Sequence, residues 1–398
     1  MKTYTVLQWV LTICFVLLGW VSPGLAVSQE SSCSPAALAH ALEVMFAQVD
    51  TEPPMFEDQD AVKTLVEVVM SQPGANQVPL PTKKRMVAAY YPFSVAISLD
   101  RFLRYAYNPD LPSYLVAPNS LRYGRWVKVD GEDKPLPRLW EYLGHLKKPV
   151  LVHGVEHEEI TPDVFSGGYY SYESDRALIL TGCKGRPVFI SVARQQKQSD
   201  VGKKGAVVGR DADWQYLYSG IEGLTKGGLG WVSSYMYEAM SVTVFCEAAT
   251  PHGLVLKAGI FKWIRAGWAG INMVRTHHIE EGCKRFATAM KEILETPDLP
   301  TATRMAEHLD WCEALSVNAL QTLVKPYLDH IREVDDPVVK KSPFKKMLAS
   351  GEYLATMPKE DMIKILVQGY LKDILHQESR VNMTACKGLT GQEAAAAE

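Results

Sequence analysis

The spacing of hydrophobic positions changes twice along the chain. Residues 35–50 and 58–70 repeat apolar side chains at helical intervals, and the first segment opens with the helix-starting pair Ser34-Pro35. Residues 83–107 show a similar pattern, in which Pro92 is expected to kink or divide the helix. The pattern therefore predicts a helical N-terminal region, which we place at residues 27–118.

From about residue 121 the pattern alternates with a period of two, which is typical of strands. Turn sequences such as Asp130-Gly131 and Pro251-His252-Gly253 separate the alternating segments, with no helical pattern between them. Consecutive strands of this kind predict an antiparallel sheet. The candidate strands are residues 121–129, 150–154, 169–174, 177–181, 188–194, 214–218, 234–246 and 254–263.

Helical spacing returns at about Thr276 and continues to Gln377. We therefore predict an α+β fold, in which a central antiparallel β-sheet grips a helix and is flanked by N-terminal and C-terminal helical segments. The β-rich domain is placed at residues 119–296 and the C-terminal helical region at residues 297–380. Residues 381–398 are predicted to be a disordered tail.

The N-terminus has the pattern of a secretory signal. Lys2 is followed by an apolar run from Val6 to Trp20, which is shorter than the roughly 20 residues that a membrane helix needs. Gly24-Leu25-Ala26 then places small residues at the two positions that signal peptidase recognises. We expect residues 1–26 to be removed as a signal peptide. The mature protein would be exported, periplasmic or secreted, with no transmembrane segment.

Composition argues against one class of partner. The formal net charge is −3, so the chain has no basic field to hold a phosphate backbone, and we expect no nucleic-acid partner. The sequence contains no Gly-x-Ser-x-Gly elbow, which lowers the expectation of serine hydrolase chemistry. Nothing in the sequence identifies a cofactor, a protein partner or an oligomeric state.

An exported protein can form disulfides, because disulfides form in oxidising compartments. Residues 279–294 and 301–323 are predicted to form an antiparallel helical hairpin, which would place Cys283 opposite Cys312. We expect a disulfide between these two residues. The alternative is a metal site in which Cys283 joins Cys312 and His308, which lie four residues apart on one helical face.

The densest polar cluster is the segment from His153 to Glu159. Imidazole and carboxylate groups bind zinc and similar ions, so His153, His157 and Glu159 are candidate metal ligands. Such a site would make the protein a metal-dependent hydrolase with an activated water. On an extended strand, however, the two histidines lie roughly 13 Å apart, and only a turn would bring them to one ion. The alternative is a solvated acidic loop.

Residues 260–274 form an aromatic, glycine-containing connection from the last strand into the amphipathic helix at 279–294. This order resembles the START or polyketide-cyclase-like (helix-grip) lipid-binding family, in which a curved antiparallel sheet grips a long C-terminal helix over an apolar cavity. The resemblance covers residues 121–296, and the helical residues after Pro297 depart from it. It implies an apolar ligand cavity and no invariant catalytic set.

Within that resemblance, tyrosine and tryptophan residues are the candidates for the cavity lining. They are Tyr169, Tyr216, Tyr218, Tyr235, Tyr237 and Trp263. The alternative is that they fill the core of the sheet, where aromatic residues are common. The leading hypothesis is an exported protein that binds a hydrophobic or amphipathic, lipid-like small molecule between sheet and helix. The other hypotheses are the metal-dependent hydrolase and a structural or interaction protein of the cell envelope.

Overall fold

The computed structural model describes residues 34–50, 56, 58–160, 169–202, 205–209, 213–215, 217–225 and 234–381. These residues belong to one compact unit that spans Cys33–Glu398. The predicted signal peptide, Tyr216 and the predicted tail beyond Val381 lie outside the described residues.

A large antiparallel sheet forms the centre of the fold. The strands are β1 (Val87–Val95), β2 (Tyr123–Val129), β3 (Val150–Ile160), β4 (Tyr169–Cys183), β5 (Arg186–Gln195), β6 (Asp200–Gly202), β7 (Val207–Val208), β8 (Leu217–Tyr218), β9 (Ser234–Thr250), β10 (Gly253–Trp268) and β11 (Ile271–Asn272). The main order across the sheet is β1-β10-β9-β5-β4-β3-β2. Strand β6 pairs with β4 and β11 with β10, while β7 and β8 form a separate pair.

Helices cover both faces of this sheet. They are α1 (Pro35–Ala47), α2 (Gln59–Ser71), α3 (Leu99–Ala106), α4 (Thr276–Leu294), α5 (Ala302–Ala314), α6 (Val317–Ile331), α7 (Ser342–Ser350), α8 (Glu352–Ala355) and α9 (Lys359–Ile374). Short 3₁₀ helices occur at Gln48–Asp50, Ala75–Gln77, Ser113–Leu115 and Leu139–His145. The predicted α+β class, with helices flanking an antiparallel sheet, is confirmed.

Alternating side chains divide the core into two layers. On β5, Val188, Ile190 and Val192 pack with α1 and α2 on what we call the outer face. Phe189 points to the inner face, where it joins side chains of α3 and of the helices from α4 onward. Burying each such side chain contributes about 1.5–3 kcal/mol, so the sheet is stabilised from both sides.

The prediction of a helix across residues 83–107 is wrong for its first half. Val87–Val95 forms strand β1, and only Leu99–Ala106 is helical, beginning after Ser98, whose side chain accepts a hydrogen bond from the Arg101 N–H. Pro92 is accommodated because β1 lies at the edge of the sheet, where a missing N–H leaves no ladder bond broken on the open side.

The predicted bond between Cys283 and Cys312 is also wrong, because the two residues do not form a disulfide. Cys283 packs with Ala89 and Ile260 against β1 and β10. Cys312 lies in the larger core cluster, with its Sγ 3.7 Å from Nε2 of His308. Each sulfur is therefore buried among different neighbours, and Cys283 does not join His308 and Cys312 in a metal site either.

Candidate ligand-binding site

A cavity of about 390 Å³ lies between the inner face of the sheet and α4. Strands β2 to β5, β9 and β10 supply one wall, and α4 supplies the opposite wall. The chain from α3 to the start of β2 closes a further side. This volume is within the range of about 300–1,000 Å³ that is typical of small-molecule pockets.

The cavity exists because two successive rows of the sheet carry small side chains. The register pairs Ser191 with Thr243, and Ala193 with Ser241, all of which line the cavity. In the next row Phe189 pairs with Phe245, and the ring centroid of Phe245 lies 4.3 Å from that of Phe102. Large rings fill that row, whereas serine, alanine and threonine leave space open beside it.

One side of the cavity is apolar. Helix α4 presents Ile279, Phe286 and Met290 on one face, at spacings of seven and four residues. Ile260 and Ile264 of β10 line the same space. These side chains offer contact surface for a hydrocarbon group.

The other side contains a buried ionic cluster on β3 and β4. Arg176 Nε lies 2.7 Å from Glu156 Oε2, and its Nη2 donates to Glu158 Oε1 at 3.2 Å. Nη1 of the same arginine donates to the Ser191 hydroxyl at 3.4 Å. Antiparallel pairing of β3 with β4 brings the two carboxylates and the guanidinium to one face. Charges removed from water in this way require close partners, and the three groups provide them for one another.

The protonation of this cluster follows from its burial. Burial raises the pKa of Glu156 to about 7, while Arg176 opposes that rise. Burial acts to lower the pKa of Arg176, but Glu156 and Glu158 hold it above its ordinary value. Burial also raises the pKa values of Tyr107 and Tyr172, so both phenols keep their protons at neutral pH. The cluster therefore presents hydrogen-bond donors and acceptors to the cavity.

Lys262 lies on the same inner face, two residues from Ile260 and Ile264. The register places Arg176, Ala193, Ser241 and Lys262 in one row across β4, β5, β9 and β10. Neighbouring strands are about 4.8 Å apart, so the Cα atoms at the two ends of the row are separated by about 14 Å. The cavity thus has a cation near each end of one row, with small side chains between them.

None of the predicted aromatic residues that the structure describes lines this cavity. Trp263 is fully buried on the outer face, where its Nε1–H donates to the Pro81 carbonyl at 3.0 Å. Tyr169 and Tyr218 have ring centroids 5.6 Å apart, and Tyr218 lines a second pocket of about 520 Å³. Alternation along β10 distinguishes the two faces: positions 260, 262 and 264 line the cavity, whereas Trp263 does not.

Tyr235 and Tyr237 also lie outside the cavity lining. Their ring centroids are 6.3 Å apart, and the Tyr237 hydroxyl accepts a hydrogen bond from the Gly270 N–H at 2.7 Å. Tyr237 thus supports the turn that follows β10. Sequence reasoning missed the polar lining because it looked for large aromatic residues, while the cavity depends on small residues and on Glu156, Glu158 and Arg176.

The candidate metal ligands on β3 do not form one site. His153 Nε2 lies 2.5 Å from the Gln48 carbonyl at the end of the α1 segment. His157 Nε2 lies 3.9 Å from Glu159 Oε1 and 3.3 Å from the Ser171 hydroxyl. Within the part of the chain that the structure describes, no three His, Cys, Asp or Glu side chains are grouped to hold a metal ion.

Comparisons with known proteins give no match, either to a protein-family model or to a curated protein. None of the helices in the described ranges combines the length and the apolar character needed to cross a membrane.

Proposed function

We propose that the protein is exported and binds an amphipathic, lipid-like small molecule in the cavity between the sheet and α4. The observation that carries the proposal is a cavity of about 390 Å³ with an apolar side at α4 and β10 and a polar side at Arg176. An amphipathic molecule matches both sides, since its hydrocarbon part would contact isoleucine and phenylalanine and its polar part would meet hydrogen-bonding groups.

The apolar lining supports occupancy of this space. The cavity is partly open to solvent, so a hydrocarbon group that enters it would remove apolar surface from water. Such burial stabilises a complex by about 25 cal/mol for each Å² of apolar surface removed from water.

The arrangement of α4 supports the proposed relation to the START-like, helix-grip family. Helix α4 follows β10 after a short hairpin and packs against β1 and β10. The cavity lies beneath it, as the resemblance implies. Helices α5 to α9 are additional to that arrangement, and their side chains extend the core on the inner face.

The test fills the cavity with larger side chains on its sheet wall. Ser241→Leu and Ala193→Leu add apolar bulk on two neighbouring strands, and Ser94→Leu is a matched control on an exposed site of β1. A fluorescent fatty-acid probe is titrated into the mature wild-type protein and each variant. We expect wild type and Ser94→Leu to bind the probe and the two cavity variants to lose at least tenfold in affinity.

Circular dichroism and thermal melting show whether each variant is folded, and they keep the result interpretable. A folded Ser241→Leu or Ala193→Leu protein that binds the probe as tightly as wild type contradicts the proposal. The same holds for a wild-type protein that binds no probe and yields no lipid when its organic extract is analysed by mass spectrometry.

A further inference from the structure

Lys262 faces the cavity, and the described residues place no carboxylate within ion-pair distance of it. It is half-buried, and within the described ranges its ammonium forms no ion pair. Arg176, by contrast, is held between Glu156 and Glu158 at the far end of the same row. Among the described residues, Lys262 is therefore a positive charge on the cavity wall without a counter-charge.

The surroundings of Lys262 favour an anion. Ile260 and Ile264 flank it on the strand, and Ser241 lies directly opposite it on β9. Across the cavity, Cys283 of α4 is close enough for the lysine charge to offset part of the rise that burial causes in the thiol pKa. A cation among apolar groups is screened weakly, so an anionic oxygen placed beside it forms a strong, charge-assisted hydrogen bond.

We propose that Lys262 binds the anionic head group of the cavity's ligand, which is therefore an amphipathic carboxylate or phosphate and not a neutral lipid. This inference rests on the proposed function and adds the ligand's charge. The hydrocarbon part would lie against α4, and Ser241 would donate a hydrogen bond to the same head group.

The test compares a charged probe with its neutral counterpart. A fluorescent fatty acid and its methyl ester are titrated into wild type, Lys262→Met and Lys257→Met. Lys257 is the matched control, since it lies on the same strand but donates to the Met70 carbonyl outside the cavity. We expect Lys262→Met to lose at least tenfold in affinity for the acid and to keep its affinity for the ester. Competition by dodecanoate and dodecyl phosphate distinguishes the two head groups.

Each outcome separates this inference from the proposed function. Equal binding of the acid by wild type and Lys262→Met overturns the role of Lys262 and leaves the cavity proposal standing. A wild-type protein that binds neither probe overturns both. Equal losses with Lys262→Met and Lys257→Met indicate a general effect of removing charge and also overturn the specific role.

A second, independent observation concerns the hairpin that joins β10 to α4. Trp268, Ile271 and Met273 are 53%, 62% and 63% exposed, whereas large apolar side chains elsewhere on the strands are mostly buried. The turn residues Ala269 and Gly270 have φ values of 51° and 77°, as a two-residue hairpin turn requires. Three large apolar side chains are thus presented together on one tight turn.

Hydrogen bonds hold this hairpin in place. The Asn272 Oδ1 accepts from the N–H groups of Ala266 and Val274, and its Nδ2 donates to the Arg85 carbonyl at 2.9 Å. The Gly270 N–H donates to the Tyr237 hydroxyl. The apolar tip is therefore pre-organised, so little conformational entropy remains to be lost when it binds a surface.

The neighbouring charges and the position of the hairpin indicate its partner. Exposed basic residues flank it, namely Lys84 and Arg85 before β1 and Arg275 before α4. Ile264 precedes the hairpin and Ile279 follows it, and both line the cavity. We infer that the hairpin docks on an anionic lipid bilayer, with the apolar tip in the interfacial region and the basic residues against the head groups.

Vesicle sedimentation tests this surface with the mature, full-length protein. Vesicles of phosphatidylcholine alone are compared with vesicles that contain one quarter phosphatidylglycerol. The variant Trp268→Ser/Ile271→Ser/Met273→Ser is compared with Leu254→Ser, which changes an exposed leucine at the opposite end of β10. We expect wild type and Leu254→Ser to sediment with the anionic vesicles and the triple variant to lose at least tenfold in binding.

Equal sedimentation of the triple variant and wild type overturns the docking inference, as does the absence of binding to anionic vesicles. Light scattering after gel filtration tests the alternative that the hairpin binds a second copy of the protein. If wild type is a dimer that the triple variant dissociates, and it does not bind vesicles, the hairpin is a contact between copies and the inference is wrong. The probe titrations above are done without vesicles, so their result is independent of this one.

Discussion

Ser241 on β9 lies directly opposite Lys262 on β10 in the antiparallel register, so the cross-strand neighbour of this half-buried lysine is a small hydroxyl residue. Across β9 the same serine is paired with Ala193 of β5, which extends the open space toward Arg176. The chemistry of the cavity is thus set by strand pairing. It combines residues from β4, β5, β9 and β10 that are far apart in the sequence.

The boundary between cavity and core can be measured with two neighbouring positions on β9. Phe245 packs against Phe102 and Phe189, and its removal would leave a new void in the filled row. We expect Phe245→Ala to lower the free energy of unfolding by about 3–5 kcal/mol. Thr243→Ala, two residues away and facing the existing cavity, should cost less than about 1 kcal/mol. Urea denaturation of both variants provides the comparison, and equal losses would contradict the packing described.

The fold class was accessible from the sequence because alternation and turn residues mark the strands from residue 121 onward. Strand β1 was missed because Tyr90-Tyr91-Pro92-Phe93 is a continuous apolar run without alternation. Its pairing with β10 is a contact across more than 150 residues of chain, and only that contact explains why Pro92 is tolerated at an edge.

The site was harder to predict, for a related reason. The sequence shows that positions 260, 262 and 264 share one face of a strand, but it does not show which face α4 will cover. The cavity itself results from missing bulk at Ser191, Ala193 and Ser241, on strands that only the folded register brings together. The size of Trp263 made it a candidate for the cavity lining. Because it alternates with positions 262 and 264 on β10, its side chain packs on the outer face of the sheet.

Export can be tested directly at the N-terminus, which lies outside the described residues. Residues 1–26 are expected to be removed, so N-terminal sequencing of the protein recovered from the periplasm or medium should begin at Val27. Ala26→Arg places a large charge at the cleavage position and should cause a longer precursor to accumulate. Full-length protein that remains in the cytoplasm would contradict export.

The raised pKa of Glu156 predicts a specific dependence of stability on pH. Burial raises this pKa from 4.5 to about 7, so the folded protein keeps a proton that the unfolded chain releases at lower pH. The free energy of unfolding should therefore fall as pH rises from about 4.5 to about 7, by about 2–3 kcal/mol from this group. In Glu156→Gln that fall should be absent. Parallel pH profiles of the two proteins would contradict the assignment.

Arg176→Met tests the ionic cluster by removing its positive charge. Removing the guanidinium leaves Glu156 and Glu158 buried without their counter-charge, and we expect a loss of about 3–5 kcal/mol in unfolding free energy at pH 8. At pH 5 the loss should be smaller, because the carboxyl groups can take up protons and become neutral.

Arg194→Met is a control, since Arg194 pairs with Asp50 at a more exposed site, where ion pairs contribute about 0–1 kcal/mol. Guanidinium chloride is unsuitable here because it screens charge, so urea titrations at both pH values are the measurement. A loss that is equal at pH 5 and pH 8 would mean that Arg176 stabilises the fold through packing of its side chain and not through its charge.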